Sequence, residues 1–294
     1  MVKSQRKIYS LYLVLPALIL YLLYFIVPSG AGMLYAFTFW TARTMDTPVF
    51  NGIDNFIYIF TTPELVKGLW NTLYFAVSTV ILKNVIGLGL GLLVNNNTFL
   101  GKYYARGVFF LPNFLNMVVI GVIFVAFLHP TGPLNLFLES VGLGFFAQDW
   151  LNDIKYAMST IVAVEVWRTS GYHMVIYIAA LKSISIEYYQ AAQIDGASAI
   201  QRFKYITLPM ISQGLTINII LAIISGLKVF DQVYVLTSGG PGNSTNVVLT
   251  FVGKMFGQGQ WGEATAYNLV LTVMIFVLCL GVLLFIEKKG GSEE

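Results

Sequence analysis

The sequence predicts an all-α, polytopic membrane protein with six transmembrane helices. Three observations lead there. Of the 294 residues, 57% are hydrophobic and 11% charged, whereas soluble domains run near a quarter charged. Several apolar stretches reach the roughly 20 residues that a helix needs to cross a hydrocarbon core. The basic residues fall largely between those stretches and are unequally shared between the two sides of the membrane. A single transmembrane domain over 1–294 is therefore expected, with no separate soluble domain.

The spans lie at approximately 9–28, 70–94, 107–128, 157–181, 209–229 and 266–286. The first follows Lys3, Arg6 and Lys7, as a signal peptide would. Its apolar run from Leu11 to Val27 is longer than a signal core, however, and Pro28 and bulky residues stand where a cleavage site needs small ones, so the span is read as retained. In the second, Gly87 and Gly91 share a helix face as a small-xxx-small pair that permits close helix approach. The fifth opens at Pro209, tolerated in a first helical turn. The sixth holds the single cysteine, Cys279, read as a packing residue, so a disulfide framework is excluded.

With the N-terminus in the cytoplasm, the inner face carries Lys3, Arg6, Lys7, Lys102, Arg106, Lys182, Arg202, Lys204, Lys288 and Lys289. The outer face carries Arg43, Lys67, Lys155 and Lys254. This asymmetry places both termini inside. The outer loops near 29–69 and 129–156, rich in Gly, Pro, Asn and aromatics, suit re-entrant or interfacial segments.

The cytoplasmic connection 182–208 differs from every other polar segment. Glu187 to Ile194 has good helix formers and an acidic first turn, and Gly196 is placed to end the helix with φ > 0. Ala197 to Ile206 offers a second short helix before Pro209. Small Ala191 and Ala192 beside the larger Tyr188, Tyr189 and Ile194 suit docking of such an exposed helix pair into a partner's groove.

Charges inside spans are costly and mark function or internal pairing. Lys83 lies mid-span in the second helix beside Asn84. Glu165 and Arg168 in the fourth, three apart, share one face, where they form a packing pair or line a pathway. Tyr172 joins Lys83, Asn84, Glu165 and Arg168 as a candidate pathway residue. Lys228 and Asp231 read as an interfacial cap or loop pair.

Other classes are excluded. A net charge of +3, scattered along the chain, does not argue for nucleic acid. Two distant histidines, His129 and His173, do not make a zinc site. Gly101-Lys102 and Gly253-Lys254 lack the following Ser or Thr and the upstream glycine of a Walker A loop, so no hydrolysis of ATP is expected from this chain.

The pattern Gln190-Ala191-Ala192-x3-Gly196-x9-Ile206-x-Leu208-Pro209 resembles the EAA cytoplasmic motif of binding-protein-dependent ABC importer permeases, with Gln190 where that family usually has glutamate. Leu15-Pro16-Ala17, Gly52-Ile53-Asp54-Asn55-Phe56, Trp70-Asn71-Thr72-Leu73, Leu111-Pro112 and the segment Val229 to Gly242, which ends in Ser-Gly-Gly-Pro-Gly, are similar to its carbohydrate subgroup, the maltose F-like and glycerol-phosphate A-like permeases. The resemblance implies an ABC type I importer permease fold and a bacterial or archaeal cytoplasmic membrane. It implies a second permease, two ATPase subunits that bind the ATP and Mg, an extracytoplasmic solute-binding protein and a carbohydrate substrate, with membrane lipid around the spans and no cofactor in this chain. It further implies that Glu187, Tyr188, Gln190, Ala191, Ala192, Asp195, Gly196, Ala197, Ile206, Leu208 and Pro209 contact the ATPase. A glycerol-phosphate-type or other small polar solute remains an alternative substrate. An ion-coupled secondary transporter would show repeated halves and midplane carboxylates; no repeat of 1–147 is evident in 148–294, and Glu165 is the single mid-span carboxylate.

Overall fold

The structure, a computed structural model, describes residues 11–96 and 101–290. Lys3, Arg6, Lys7 and the first residues of the span at 9–28 lie outside the described residues, as do the side chains of Lys288 and Lys289. In chain order the elements are α1 (Leu11–Tyr21), a π turn (Leu22–Ile26), α2 (Val27–Tyr35), β1 (Thr38–Phe39), β2 (Val49–Phe50), α3 (Asp54–Thr61) and α4 (Pro63–Asn95). Then come α5 (Lys102–Phe110), a 3-10 turn (Leu111–Phe114), α6 (Met117–Phe127), α7 (Pro133–Ser140) and α8 (Ala157–Lys182). The remainder are α9 (Ile186–Ile194), α10 (Ala199–Arg202), a second π turn (Phe203–Thr207), α11 (Leu208–Met210), α12 (Ser212–Leu227), α13 (Asp231–Thr237), α14 (Val248–Gly257) and α15 (Trp261–Gly290). The expected all-α character holds, the one sheet being a pair of two-residue antiparallel strands with Thr38 opposite Phe50 and Phe39 opposite Val49.

Two compact units are present, Met1–Thr62 with Val252–Val270, and Pro63–Phe251 with Leu271–Glu294. In the first, the helical run continues past Pro28 to Tyr35. Proline lacks an N–H and its ring crowds the carbonyl four residues back; the wider π turn just before it relieves both conflicts, so the expected stop at 28 does not occur. No residue of the Val14–Tyr35 span is buried. Beyond it, buried Asn55 donates to Ala36 O and Thr38 O, each at 2.9 Å, and Gly52 takes φ +67°. These two residues tie down the loop at 36–55, and Trp40 stacks on Tyr35 at 4.3 Å and meets Trp261 edge-on at 5.0 Å.

The second unit is organised on α4, α8 and α12. The second span is longer than expected, 33 residues against 70–94, because Pro63 starts the helix early and Glu64 favours its first turn. Glycine sets the helix spacing: a Cβ at Gly87 would lie 2.8 Å from His173 Cβ, and one at Gly91 3.2 Å from Tyr177 Cβ. The expected packing role of this pair holds. Gly214 approaches Ala180 and Gly226 approaches Ala76 in the same manner, at 2.6 Å and 2.9 Å.

Two expected spans are broken. The third, placed at 107–128, runs as Lys102–Phe114 and Met117–Phe127 bent by 99°. Leu115 and Asn116 are extended there, and the Asn116 side chain accepts from Val118 N at 2.8 Å, starting a new helix. The fifth, placed at 209–229, is the helix Ser212–Leu227, bent by 69° from the run Ala199–Met210 that carries Pro209. Pro209 follows the second π turn just as Pro28 follows the first.

Candidate functional site

Helix α9 begins where Ser185, in extended backbone, accepts from Glu187 N at 3.3 Å. It ends in paired bonds from Ala197 N to Ala192 O at 2.8 Å and from Gly196 N to Gln193 O at 3.2 Å, the Schellman arrangement that a left-handed residue permits. Gly196 has φ +77°, as expected from sequence. A Cβ there would meet nothing within 4 Å, so the backbone angle, not crowding, demands glycine. Ser198 then caps α10 reciprocally: its backbone N donates to Gln201 Oε1 at 2.7 Å, and Gln201 N donates to Ser198 Oγ at 3.3 Å.

This helix pair is fixed at its base and free at its tip. Tyr189 and Thr207 share a hydroxyl hydrogen bond of 2.9 Å, and Tyr177, Leu181, Ile184 and Ile211 form a buried cluster beneath it. Glu187, Tyr188, Gln190, Ala191, Asp195 and Gly196 are exposed, with Ala192, Ala197 and Ile206 half-buried. Leu208 and Pro209 are exposed on α11, past the π turn that interrupts the expected helix over 197–206. Ile194 and Ile200 stand 87% and 78% exposed. Apolar side chains held out on a braced hairpin offer an interaction surface.

A buried charge network lies on the other candidates. Lys83 Nζ donates to Glu165 Oε1 at 2.8 Å across 82 residues of sequence. Arg168 Nε and Nη2 both reach Glu165 Oε2 at 3.0 Å, and Gln232 Nε2 donates to the same oxygen at 2.9 Å. Lys83 also lies 3.4 Å from Ser225 Oγ. The network thus joins α4, α8, α12 and α13. The expected Glu165–Arg168 pair is present; its two further partners, Lys83 and Gln232, come from other helices. Opposite charges mid-span in two helices were the available signal for Lys83; Gln232 gave none.

Asn84 belongs to an adjacent polar layer, accepting from the Tyr177 hydroxyl at 2.6 Å. His173 and Asn218 bond at 2.9 Å beside it. Tyr172 stands apart from both groups, 38% exposed, its ring edge-on to His173 at 5.6 Å. Lys228 and Asp231 form no ion pair; Asp231 sits in the first turn of α13 instead. Among the described residues, no group of three or more His, Cys, Asp or Glu is placed to hold a metal.

The Gly-Gly-Pro segment is a cross-linked loop, exposed at Ser238, Gly242 and Asn243 and buried from Ser244 to Val248. Ser238, Gly239, Gly242 and Asn243 all have positive φ. Gly239 leaves no room for a Cβ, which would fall 1.9 Å from Asn246 Oδ1. Asn71 Nδ2 donates to Ser244 O and Asn246 O at 2.8 Å each, and Thr72 Oγ1 accepts from Val248 N at 3.0 Å. The Trp70-Asn71-Thr72-Leu73 segment noted in the sequence thereby anchors this loop to α4.

Comparison with known proteins agrees with this architecture. Residues 83–287 match the family described as "Binding-protein-dependent transport system inner membrane component". The chain is 31% identical to the "Probable ABC transporter permease protein YurN" of Bacillus subtilis (strain 168), over 99% of each chain. It is 28% identical to the "Trehalose/maltose transport system permease protein MalF" of Thermococcus litoralis, over 95% of this chain and 92% of that one. A chain from the crystal structure of a bacterial ABC transporter involved in alginate import superposes with a TM-score of 0.82 at 23% identity, over 94% of both chains, and so shares the fold. Matched over most of its length, the chain belongs to the binding-protein-dependent transport system inner membrane component family.

Proposed function

We propose that this chain is a permease subunit of an ATP-driven importer for a sugar or oligosaccharide, supplying half of a translocation pathway. The trehalose/maltose relative supports the carbohydrate class. In this reading 1–294 acts as one permease domain, multi-pass in the cytoplasmic membrane of a bacterium or archaeon, with both termini cytoplasmic. It pairs with a second permease, two ATPase subunits that bind ATP and Mg, and a solute-binding protein on the outer side. The chain itself holds no cofactor and hydrolyses nothing. Closure of the ATPases draws the 187–209 element with it and switches access to a pathway near Lys83, Asn84, Glu165, Arg168 and Tyr172.

The observation that carries the reading is Gly196 at φ +77° between two capped helices, at the position the EAA-like spacing assigns to it. Because nothing crowds this residue, the test separates backbone angle from bulk. Gly196→Asn, which tolerates φ > 0, should keep coupled transport. Gly196→Val pays about 1–3 kcal/mol for the left-handed angle and should redirect α9, lowering ATPase retention or uncoupling hydrolysis from uptake. Ala191→Asp, exposed in the chain alone, should release the ATPase by burying an unpaired charge. Full ATPase binding and coupled uptake in both Gly196→Val and Ala191→Asp would remove this segment from the coupling role.

A further inference from the structure

We propose that Arg168, together with Tyr172, contacts an anionic group on the transported saccharide, so that the substrate is a sugar bearing a carboxylate, sulfonate or phosphate. The proposal rests on the importer reading above and narrows it.

Charge balance is the first ground. The buried network holds two cations and one anion. Lys83 is taken up wholly inside, its side chain 1% exposed, with Glu165 at 2.8 Å and Ser225 at 3.4 Å. Arg168 shares the same carboxylate, both of its contacts falling on Oε2, an oxygen that also receives Gln232. A guanidinium matched to its own carboxylate would use two oxygens in parallel; here the fork is only half used, and Nη1 has no acceptor among the described residues. Apart from Glu64 and Asp231, in the first turns of α4 and α13, Glu165 is the sole carboxylate of the four helices that the network joins. An excess positive charge within a span is costly unless an anion meets it.

Position is the second ground. The Arg168 side chain is 20% exposed, against 3% for Glu165 and 1% for Lys83, so of the three charged groups it is the one whose outer face is reachable. Glu165 and Gln232 hold the guanidinium in one orientation, which lowers the cost of ordering it on a ligand. One turn further along α8 is Tyr172, at the i,i+4 spacing that puts both on the same helix face. Tyr172 is 38% exposed and its hydroxyl makes no hydrogen bond among the described residues. A fixed cationic fork one helical turn from an open phenol suits an anion carried on a sugar ring.

The test uses the complete importer, with both permeases, the ATPases and the binding protein, in proteoliposomes at substrate well below saturation, where a lost binding contact lowers the rate. Matched pairs are maltotriose against trigalacturonate, and glucose against glucose 6-phosphate and 6-deoxy-6-sulfoglucose, which tell the three anions apart. The wild type should import at least one anionic member faster than its neutral partner. Arg168→Gln should cut that rate by about tenfold or more, the scale of a lost charge-assisted hydrogen bond, while Arg168→Lys, which keeps the charge, should retain the anion preference. Faster import of the neutral members by the wild type, an equal fall for both members in Arg168→Gln, or loss of preference in Arg168→Lys would each overturn the proposal. If Arg168→Gln does not assemble, Arg168→Lys still decides. Absence of ATP-dependent import of every saccharide would instead count against the importer reading itself.

Discussion

Removing the carboxylate at the centre of the buried network should cost far more than removing one of its cations. Glu165→Gln leaves Lys83, 1% exposed, with only Ser225 at 3.4 Å, and leaves Arg168 without an anion. Stranding a buried charge in this way costs about 3–5 kcal/mol. Lys83→Met removes a cation but leaves Glu165 held by Arg168 at 3.0 Å and by Gln232 at 2.9 Å. The loss is then one hydrogen bond to a charged group, about 1.5–3 kcal/mol. In the double variant no lysine is stranded, so it should be no less stable than Glu165→Gln alone, a coupling of at least the Lys83→Met cost, about 1.5–3 kcal/mol. Thermal denaturation of the detergent-purified complex, followed by size-exclusion chromatography, ranks the four proteins. Equal midpoints for the two single variants, or a double variant whose loss equals their sum, would refute the assigned geometry.

Other expectations follow from the same contacts. Gly87→Val should destabilise by about 1–3 kcal/mol through overpacking against His173, whereas Gly89→Val, two residues along and with nothing within 4 Å of its Cβ, should fall within about 0.5 kcal/mol of wild type; the same denaturation assay compares them. Asn71→Ala frees two carbonyls at Ser244 and Asn246, at a cost of about 1–3 kcal/mol, and faster amide exchange confined to 238–248 should report it. For topology, in a background lacking Cys279, a cysteine at exposed Ile200 should react only from the cytoplasmic side and one at exposed Ile154 only from outside; reversed labelling would invert the proposed orientation.

What could be read in the sequence was local. Gly196, its cap and the helix before it depend on residues within a few positions of one another, and the structure has them as expected, whereas the helix expected over 197–206 gives way to a π turn at Phe203–Thr207. Gly87 and Gly91 announce a close-packing face by spacing alone, but not which helix packs on it. The break at Leu115–Asn116 was hidden because 107–128 is uncharged and largely apolar, and one proline there is compatible with a kinked continuous helix. Tertiary contact accompanies it: Gly171 lets α8 sit directly on the end of α5, where a Cβ would fall 1.9 Å from Phe109 O. The same limit applies to the polar residues. Lys83 and Glu165 each stood out as a charge inside a span, yet their pairing spans 82 positions and only the fold supplies it. Asn71, whose partners are 173 and 175 residues away, carried no such mark beyond its place in a family-like segment.

The glycine contacts among α4, α8 and α12 have a mechanical consequence. Gly87 and Gly91 close α4 on α8, Gly214 closes α12 on α8, and Gly226 closes α12 on α4. Three helices joined pairwise at backbone distance form a triangle, and a triangle cannot shear without breaking a side. Displacement applied at the 186–210 hairpin therefore cannot be dissipated by sliding within it. The bend at Ile211 gives no slack either, since Ile211 is fully buried against Tyr177, Leu181 and Ile184. In the coupling role proposed above, a pull on the hairpin would tilt the three helices together, and the extended joint at Leu115–Asn116 is one place left to bend.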